Sequence, residues 1–371
     1  MKRLTEFDEL ADPSFSRAVI GWQKNHGRHA LPWQNTRDAY RIWLSEIMLQ
    51  QTQVAAVLGY YARFLQRFPT LHDLAEAPLD AVMAQWAGLG YYTRARNLHA
   101  CARRVAAEYD GQFPSDPALL ADLPGIGRST AAAISAFSSG TRAAILDGNV
   151  KRVFARVFGI DQFPGLKAVE DGLWRRANAL LPDEAIESYT QGLMDLGATL
   201  CTRSKPDCTR CPLQPRCVAY ASGRTAELPV RKPKKTIPEK QATMLVVIDG
   251  AQVLLHQRAS SGIWGALVSL PEVDGHGARG DVDADAVLAA ARVFGEVEEV
   301  QALLPLVHVF THYRLHIVPF KVALAQRDTL PDGYLWWDLA GIERGPLPAP
   351  VKKLLLDIAA PSLFSPLCGS R

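Results

Sequence analysis

Four of the six cysteines of this 371-residue chain fall within seventeen consecutive positions. Their spacing is Cys-x6-Cys-x2-Cys-x5-Cys, formed by Cys201, Cys208, Cys211 and Cys217. Four thiolates in one short loop can coordinate one metal centre, and zinc and a 4Fe–4S cluster are the two candidates. Zinc sites usually combine two separated Cys-x2-Cys units, whereas this loop has one such pair with a single cysteine on each side. The asymmetry favours the cluster, which takes one thiolate at each of its iron corners.

The chain divides into three regions that differ in composition and in the spacing of their apolar residues. Residues 1–225 carry apolar residues at three- and four-residue spacings, interrupted by Pro-containing breaks, so we predict an all-α domain. Residues 226–240 are rich in Pro and Lys, which indicates an extended linker. Residues 241–365 combine β-branched runs around Asp249-Gly250 with one helical stretch, which predicts an α+β domain.

The sequence also bears on the cellular compartment. No run of about 20 apolar residues occurs, and the N-terminus lacks the pattern of a secretory signal. We therefore expect a cytoplasmic protein that does not span a membrane. Thiols stay reduced in the cytoplasm, which favours metal binding over disulfides for clustered cysteines.

The formal charge of +3 is distributed unevenly. Residues 1–225 contain 26 Lys+Arg against 22 Asp+Glu, the linker contains 5 against 2, and residues 241–371 contain 10 against 14. The helical region and the linker are therefore basic, and the C-terminal region is acidic. A basic excess of this size is compatible with a polyanionic partner but does not require one.

A tight turn at Pro124-Gly125-Ile126-Gly127 directly precedes an Ala-rich helical stretch. Glycines let backbone N–H groups approach a phosphate, and a helix N-terminus adds partial positive charge. The stretch therefore predicts the hairpin of a helix-hairpin-helix motif. Twenty residues after Gly127, Asp147 follows an apolar run and precedes a helical pattern, which predicts a helix N-cap.

Glu46 lies within an apolar helical stretch, with Ile42, Trp43 and Leu49 at helical neighbour positions. Such a glutamate is either at the edge of the apolar face or desolvated within it. Desolvation disfavours the carboxylate and raises its pKa, which suits a general acid near neutral pH. Taken alone, these residues leave both alternatives open.

Five segments of the chain carry recognisable motifs: residues 31–54, "GLGYYTRARNLH" at 88–99, "LPGIGRST" at 123–130, "LDGNVKRV" at 146–153 and the cysteine loop at 201–217. Together they resemble the adenine DNA glycosylase (MutY) family, within the iron–sulfur branch of the helix-hairpin-helix DNA glycosylases. The resemblance covers about 200 continuous residues. It implies one structural 4Fe–4S cluster per chain, bound by the four cysteines, and a loop that presents cations to DNA phosphates: Arg203, Lys205, Arg210 and Arg216.

The same resemblance implies the residues of the active site. Glu46 matches the acid that protonates the departing adenine, Asp147 the carboxylate that stabilises the sugar cation, and Asn149 a residue that orients the site. We expect Glu46 to be dry and Asp147 to stay ionised through hydrogen bonds, so that their pKa values diverge. DNA contacts are implied for Gln50, Gln51, Tyr91, Gly125, Gly127 and Ser129, and an adenine pocket for Leu31, Trp33 and Gln191.

The endonuclease III type, which removes oxidised pyrimidines and nicks the strand, is the nearest alternative. That type has a nucleophilic Lys two residues after the second hairpin Gly, whereas this chain has Ser129, which cannot form a Schiff base. It also lacks an acidic residue corresponding to Glu46 and a long C-terminal domain. These differences favour a monofunctional glycosylase. The other alternative, a non-catalytic iron–sulfur DNA-binding protein, would need neither Glu46 nor Asp147.

The C-terminal domain, with "SGIWGALVSLPEV" at 261–273, resembles a Nudix-type fold. Hydrolytic Nudix proteins hold magnesium on an Arg-Glu-x-x-Glu-Glu helix, and no such pattern follows Pro271, which argues against pyrophosphatase activity. In the MutY family this domain recognises 8-oxoguanine, and the resemblance gives that role to Phe310, Thr311 and His312. The implied partner is duplex DNA with adenine opposite 8-oxoguanine or guanine, bound by a monomer.

Overall fold

The computed structural model describes residues 10–232, 237–259, 262–277, 282–310 and 312–359. Contacts within the chain divide it into two compact units. The first unit comprises Met1–Glu76 and Arg96–Lys234, and the second comprises Ala77–Ala95 and Lys235–Arg371. The predicted division at residue 225 assigns Ala77–Ala95 to the first domain, whereas the contacts assign this segment to the second unit. It groups with the C-terminal residues through contacts that are remote in sequence, such as the 3.5 Å approach of the Tyr92 hydroxyl to the Leu347 carbonyl.

Residues 10–232 are helical, with no strand within that described range. The α-helices are α1 (Pro13–His26), α2 (Ala39–Leu49), α3 (Val54–Arg67), α4 (Leu71–Glu76), α5 (Leu79–Trp86), α6 (Thr93–Glu108), α7 (Pro117–Ala121), α8 (Arg128–Ser139), α9 (Gly148–Val157), α10 (Lys167–Ala179), α11 (Ile186–Asp195) and α12 (Val218–Ala221). A π-helical turn (Leu196–Leu200) continues α11, and 3-10 turns occupy Cys208–Arg210 and Gln214–Arg216. The predicted all-α character is confirmed.

Aspartate side chains cap the starts of three helices in the first unit. Asp12 accepts hydrogen bonds from the first backbone N–H groups of α1, Asp38 from those of α2, and Asp147 from that of α9. Each carboxylate satisfies N–H groups that have no partner within the helix. A hydrophobic core shared by α1, α8, α9 and α11, which includes Phe15, Ala132 and Leu193, then fixes the starts of α1 and α9 relative to each other.

The rest of the second unit is built on an eight-stranded mixed sheet. Its strands are β1 (Glu239–Asp249), β2 (Gln252–Gln257), β3 (Val268–Ser269), β4 (Glu272–Gly277), β5 (Gly295–Ala302), β6 (Leu306–Val309), β7 (Arg314–Arg327) and β8 (Tyr334–Asp338). The strand order is β3-β2-β1-β7-β5, with β4 paired to β1, β6 to β7 and β8 to β2. Only the central β1–β7 pair is parallel among these described pairs.

Two further helices, α13 (Ala284–Arg292) and α14 (Ala349–Ala359), and a 3-10 segment (Leu339–Arg344) complete the second unit. The Asp249-Gly250 hairpin prediction is confirmed, because Asp249 pairs with Gln252 across antiparallel β1 and β2. The helix and the long strand predicted from the sequence are α13 and β7. No helix within the described ranges combines the length and the apolar character needed to cross a lipid bilayer.

Candidate functional site

A pocket of about 500 Å³ opens beside Glu46 in the first unit. Residues of α2, of the loop between α1 and α2, and of α11 form its walls. Leu31, Trp33 and Gln191, the three residues predicted to line an adenine pocket, all lie on these walls together with Glu46. The volume falls within the range of small-molecule pockets in proteins.

Hydrogen bonds from Gln34 shape the loop that carries Leu31 and Trp33. Its side-chain oxygen accepts from the Leu31 backbone N–H at 3.0 Å, and its side-chain nitrogen donates to the Arg28 carbonyl at 2.9 Å. Trp33 is buried edge-to-face against Tyr61, with ring centroids 5.3 Å apart. The apolar wall of the pocket is therefore fixed by internal contacts before any ligand binds.

Glu46 occupies the middle of α2, where the apolar row of that helix faces the core. Its side chain is only half-buried, because it borders the open pocket. The surrounding protein nevertheless desolvates the carboxylate and, with the negative charge of Asp147 as a second cause, raises its pKa to about 8. Of the two alternatives left open by the sequence, the structure supports the desolvated glutamate.

Asp147 is the N-cap of α9, as predicted, and its Oδ1 accepts the Val150 backbone N–H at 2.8 Å. Burial raises the pKa of Asp147, and the N–H groups of Val150 and Asn149 act in the opposite direction, as does the charge of Arg152. The expected hydrogen bonding is therefore present. The upward direction of the pKa differs from the expectation of a permanently ionised Asp147, because desolvation has the larger effect.

The hairpin turn places Gly125 at φ +78°, where a Cβ atom would come within 2.9 Å of the Asn97 Cβ. Gly127 precedes α8 and supplies no side-chain cap to the first N–H groups of that helix. Ser129 has a role that the sequence did not predict. Its hydroxyl accepts the Leu146 backbone N–H at 2.9 Å, which ties the hairpin to the residue before Asp147.

Of the other predicted DNA contacts, Gln51 and Tyr91 lie in unusual backbone conformations, and Gln50 does not. Gln50 ends α2, and its side-chain nitrogen donates to the Gly125 carbonyl at 3.4 Å, so Gln50 and the hairpin are adjacent. Gln51 is exposed at φ +56°. Tyr91 is 47% exposed at φ +51° and belongs to the second unit. Positive φ values are costly for residues with a side chain and are concentrated at functional sites.

Arg152 connects the predicted active site to the cysteine loop. Its guanidinium donates to the Asn149 side-chain oxygen at 2.8 Å, to the Gly197 carbonyl at 2.6 Å and to the Cys201 carbonyl at 2.7 Å. Gly197 also allows this approach, since a Cβ atom there would lie 2.5 Å from the Asn149 Cβ. No short sequence motif revealed this connection, because Arg152 lies 49 residues from Cys201.

The four cysteines of the loop line one cavity beneath α9 and the π-helical turn. Burial is the largest cause that raises the pKa of the Cys208, Cys211 and Cys217 thiols, and the charges of neighbouring thiolates add to it. Buried Arg156 opposes that charge, because it donates to the Cys201 sulfur at 3.3 Å. The cavity thus collects four cysteine sulfurs and one cation.

Within the described ranges, no group of three or more His, Cys, Asp or Glu side chains is arranged to hold a single metal ion.

Two of the loop cations already have partners within the chain. Arg216 bonds to Asp12, with an N–O distance of 2.5 Å, and to the Ser14 hydroxyl at 2.7 Å, so it anchors the loop to the start of α1. Arg210 lies 3.4 Å from the Asp207 carboxylate but is 74% exposed. Arg203 and Lys205 are exposed. The phosphate-facing role implied for the four cations therefore suits Arg216 least.

The predicted 8-oxoguanine loop joins β6 to β7. The Phe310 N–H donates to the Tyr313 carbonyl at 2.9 Å, and the two rings lie 4.7 Å apart between centroids. Trp264 lies in the loop between β2 and β3, and its ring centroid is 5.6 Å from that of Phe310. His312 is exposed beside Tyr313, whereas Thr311 lies outside the described residues.

Comparison with known proteins agrees with this geometry. Residues 44–179 match the family described as HhH-GPD superfamily base excision DNA repair protein, and residues 243–357 match the NUDIX domain. A solved thermostable thymine-DNA glycosylase aligns with a TM-score of 0.52 and 30% identity, over 56% of this chain and 96% of that one. The fold and the site define a base excision repair DNA glycosylase with an additional Nudix-like domain.

Relatives identify the particular family. The adenine DNA glycosylase of Buchnera aphidicola is 34% identical over 344 residues, which cover 92% of this chain and 96% of the relative. The human adenine DNA glycosylase is 32% identical over 391 residues, with 89% of this chain and 71% of the relative covered. The chain belongs to the adenine DNA glycosylase family, as the sequence predicted. It is therefore a DNA-acting enzyme of base excision repair.

Proposed function

We propose that this enzyme removes adenine paired with 8-oxoguanine or guanine in duplex DNA, by hydrolysis of the N-glycosidic bond without cutting the strand. The observation that carries the proposal is the position of Glu46 on the wall of the pocket that Leu31 and Trp33 also line, where burial and the charge of Asp147 raise its pKa to about 8. A carboxyl group that keeps its proton at neutral pH is a suitable general acid.

The chemistry assigned to the pair follows from the two environments. The target base leaves the stack and enters the pocket between Leu31 and Trp33. Glu46 donates its proton to N7 of the adenine, so that the base leaves as a neutral molecule. Asp147, supported by the Val150 N–H and by the charge of Arg152, supplies negative charge to the oxocarbenium-like sugar. Asn149 is held beside Asp147 by Arg152 and orients this site.

Two contacts support hydrolysis over a strand-cutting lyase mechanism. The Ser129 hydroxyl, at the position of the lyase lysine, is already engaged by the Leu146 N–H. Lys151, the amine nearest in sequence to Asp147, donates to the Glu170 carboxylate at 2.7 Å. An amine held as the cation of an ion pair is a poor nucleophile.

The proposed DNA contacts divide into two groups. The N–H groups of Gly125, of Gly127 and of the start of α8 bind backbone phosphate, aided by the helix dipole. Gln50 and Gln51 fill the space that the extruded base leaves, and Tyr91 keeps its predicted DNA contact from the sequence alone.

Cys201, Cys208, Cys211 and Cys217 would hold one 4Fe–4S cluster, as the spread of the four thiolates around one cavity supports. When bound, the cluster supplies a rigid cross-link of the loop. The chain's own contribution is to neutralise that site with Arg156 and to link it through Arg152 to Asn149.

Recognition of 8-oxoguanine is assigned to the loop between β6 and β7. Phe310 is supported by the rings of Tyr313 and Trp264, so it is held in position to stack on a base or to wedge beside it. His312 offers an exposed ring nitrogen for a hydrogen bond. Thr311 retains its place in this proposal from the sequence alone.

A duplex assay tests the proposed function. Three duplexes that place adenine opposite 8-oxoguanine, guanine or thymine are incubated with the wild-type chain, Glu46→Gln and the exposed matched control Glu184→Gln. We expect adenine release from the first two duplexes, strand breakage only after alkali, and loss of release in Glu46→Gln alone. Direct nicking would favour the endonuclease III type, and binding without release would favour a non-catalytic protein.

A further inference from the structure

We propose that Asp195 is a positioning residue that makes the pocket selective for adenine, because it fixes the side-chain amide of Gln191 in one orientation. The inference deepens the proposed function and rests on the binding of the extruded purine in this pocket. Asp195 ends α11, is fully buried, and lies behind the wall that Gln191 and Arg28 form.

Asp195 makes a dense set of hydrogen bonds. Its Oδ1 accepts from the Arg28 side chain at 2.7 Å and from the Gln191 Nε2 at 2.9 Å. Its Oδ2 accepts from the Arg28 backbone N–H at 2.8 Å. Gly27 permits this approach, since a Cβ atom there would lie 3.1 Å from Asp195 Oδ2. The buried carboxylate is thus balanced by Arg28 and anchors the pocket loop to α11.

The chemistry of the partners decides how the amide of Gln191 points. A carboxylate only accepts hydrogen bonds, whereas a side-chain amide can turn over and offer either its oxygen or its nitrogen. Contact with Asp195 therefore requires Nε2 of Gln191 on the inner side. Among the described residues none donates to the Oε1 of Gln191, so this oxygen remains the polar group that Gln191 offers to a ligand.

A hydrogen-bond acceptor on this wall distinguishes adenine from purines that carry an oxygen at position 6. Adenine carries an exocyclic N6 amino donor, whereas guanine and hypoxanthine carry an O6 acceptor at the same ring position. An amide oxygen opposite the amino group forms a hydrogen bond, and opposite O6 it faces a second acceptor with no proton between them. Sites built around a substrate donor reject analogues that lack it, since buried polar groups are left unpaired.

The test compares two duplexes that differ only in the target base, adenine or hypoxanthine, opposite 8-oxoguanine. Single-turnover release rates are measured for the wild type, Asp195→Asn, Gln191→Met and the control Asp183→Asn, whose side chain is 99% exposed. We expect the adenine-to-hypoxanthine rate ratio to fall about ten- to hundredfold in the first two variants. The reason is that Asn at 195 can both donate and accept, so Gln191 can then take either orientation. Asp183→Asn should keep the wild-type ratio.

Equal loss of both rates in Asp195→Asn, with the ratio retained, overturns the proposal and leaves Asp195 a structural role. If that variant fails to unfold cooperatively, a second measurement on the wild type decides. The Gln191 side-chain N–H signals, assigned by their absence in Gln191→Met, should exchange with solvent more slowly than those of exposed Gln residues; fast exchange overturns the proposal. The wild-type adenine arm tests the proposed function separately, since it must show release whatever the ratio.

Discussion

The negative charge of Asp147 adds to burial in raising the pKa of Glu46 to about 8. Two carboxyl groups that sense each other in this way compete for protons, and their titration belongs to the pair. Near neutral pH, Glu46 holds a proton at the edge of the pocket. Asp147 has the anion-stabilising contacts, from the Val150 N–H and Arg152. The arrangement separates a proton donor from a charge stabiliser within one site.

The pH dependence of adenine release should reflect this pair. Because the protonated form of Glu46 is the active one, the single-turnover rate should fall about tenfold per pH unit once pH rises above about 8. At low pH the rate should fall again as Asp147 becomes protonated. Because the pKa of Asp147 is raised, this fall should begin at a higher pH than it would for an ordinary aspartate. Quenched-flow rates across the pH range check both limbs, with DNA binding followed in parallel. A rate that stays constant well above pH 8 would remove the acid assignment.

Glu46→Gln should also change how stability depends on pH. The folded state holds the Glu46 proton up to about pH 8, whereas the unfolded state loses it near 4.5. The wild type therefore loses stability as pH rises from the unfolded value through the folded one. The neutral amide avoids that loss, so the variant should be more stable by roughly 1–4 kcal/mol at pH 8.5 and equal near pH 4.5. Denaturant unfolding at the two pH values, with Glu184→Gln as control, measures the difference.

Loss of the hydrogen bonds made by the Arg152 guanidinium should impair catalysis, although no predicted catalytic group is removed. Arg152→Gln breaks charge-assisted hydrogen bonds to Asn149 and to the Gly197 and Cys201 carbonyls, each worth about 1.5–3 kcal/mol. We expect adenine release to slow at least tenfold and Arg152→Lys to recover part of it. The exposed Arg292→Gln is the matched control. Wild-type rates in Arg152→Gln would show that the link is dispensable.

Metal analysis distinguishes the cysteines of the loop from Cys101. Cys101 is buried in α6, and burial raises the pKa of its thiol to about 12, so it stays protonated and is a poor ligand. The purified wild type and Cys101→Ala should contain about four iron and four sulfide per chain. Cys208→Ser should lose most of both. Stoichiometric zinc in place of iron would contradict the cluster assignment.

Phe310→Ala should weaken discrimination between 8-oxoguanine and guanine opposite the target adenine. Stacking of one base on an aromatic ring is worth about 1–3 kcal/mol, so the ratio of release rates for the two duplexes should fall roughly five- to hundredfold. Val307→Ala, an exposed change in neighbouring β6, is the control. An unchanged ratio would place recognition outside this loop, while adenine removal itself should persist in either case.

Local patterns predicted the features that depend on near neighbours in the sequence. The cap at Asp147 needs only the N–H groups that follow it, and the Asp249-Gly250 turn needs only its flanking strands. The convergence of Leu31, Trp33 and Gln191 on one pocket came from family resemblance, because no local pattern relates positions 160 residues apart.

Features set by distant partners were not predictable in this way. Arg216 reads as a phosphate-binding cation, yet it pairs with Asp12, which lies 204 residues away. No local pattern assigned a role to Asp195, and only the structure shows that it is buried and charge-balanced by Arg28. The pKa of Asp147 follows the same rule, because its direction depends on the total burial by surrounding segments.

The π-helical turn at Leu196–Leu200 determines the direction in which Cys201 leaves the axis of α11. Each residue of a helix advances the chain by about 100°, so deleting one residue there would rotate Cys201 away from Arg152 while Gln191 kept its direction. A regular α-helix in place of the π-helical turn would thus change the direction of Cys201 relative to that of Gln191. Insertions and deletions should be tolerated far less in these five residues than in the loop that follows.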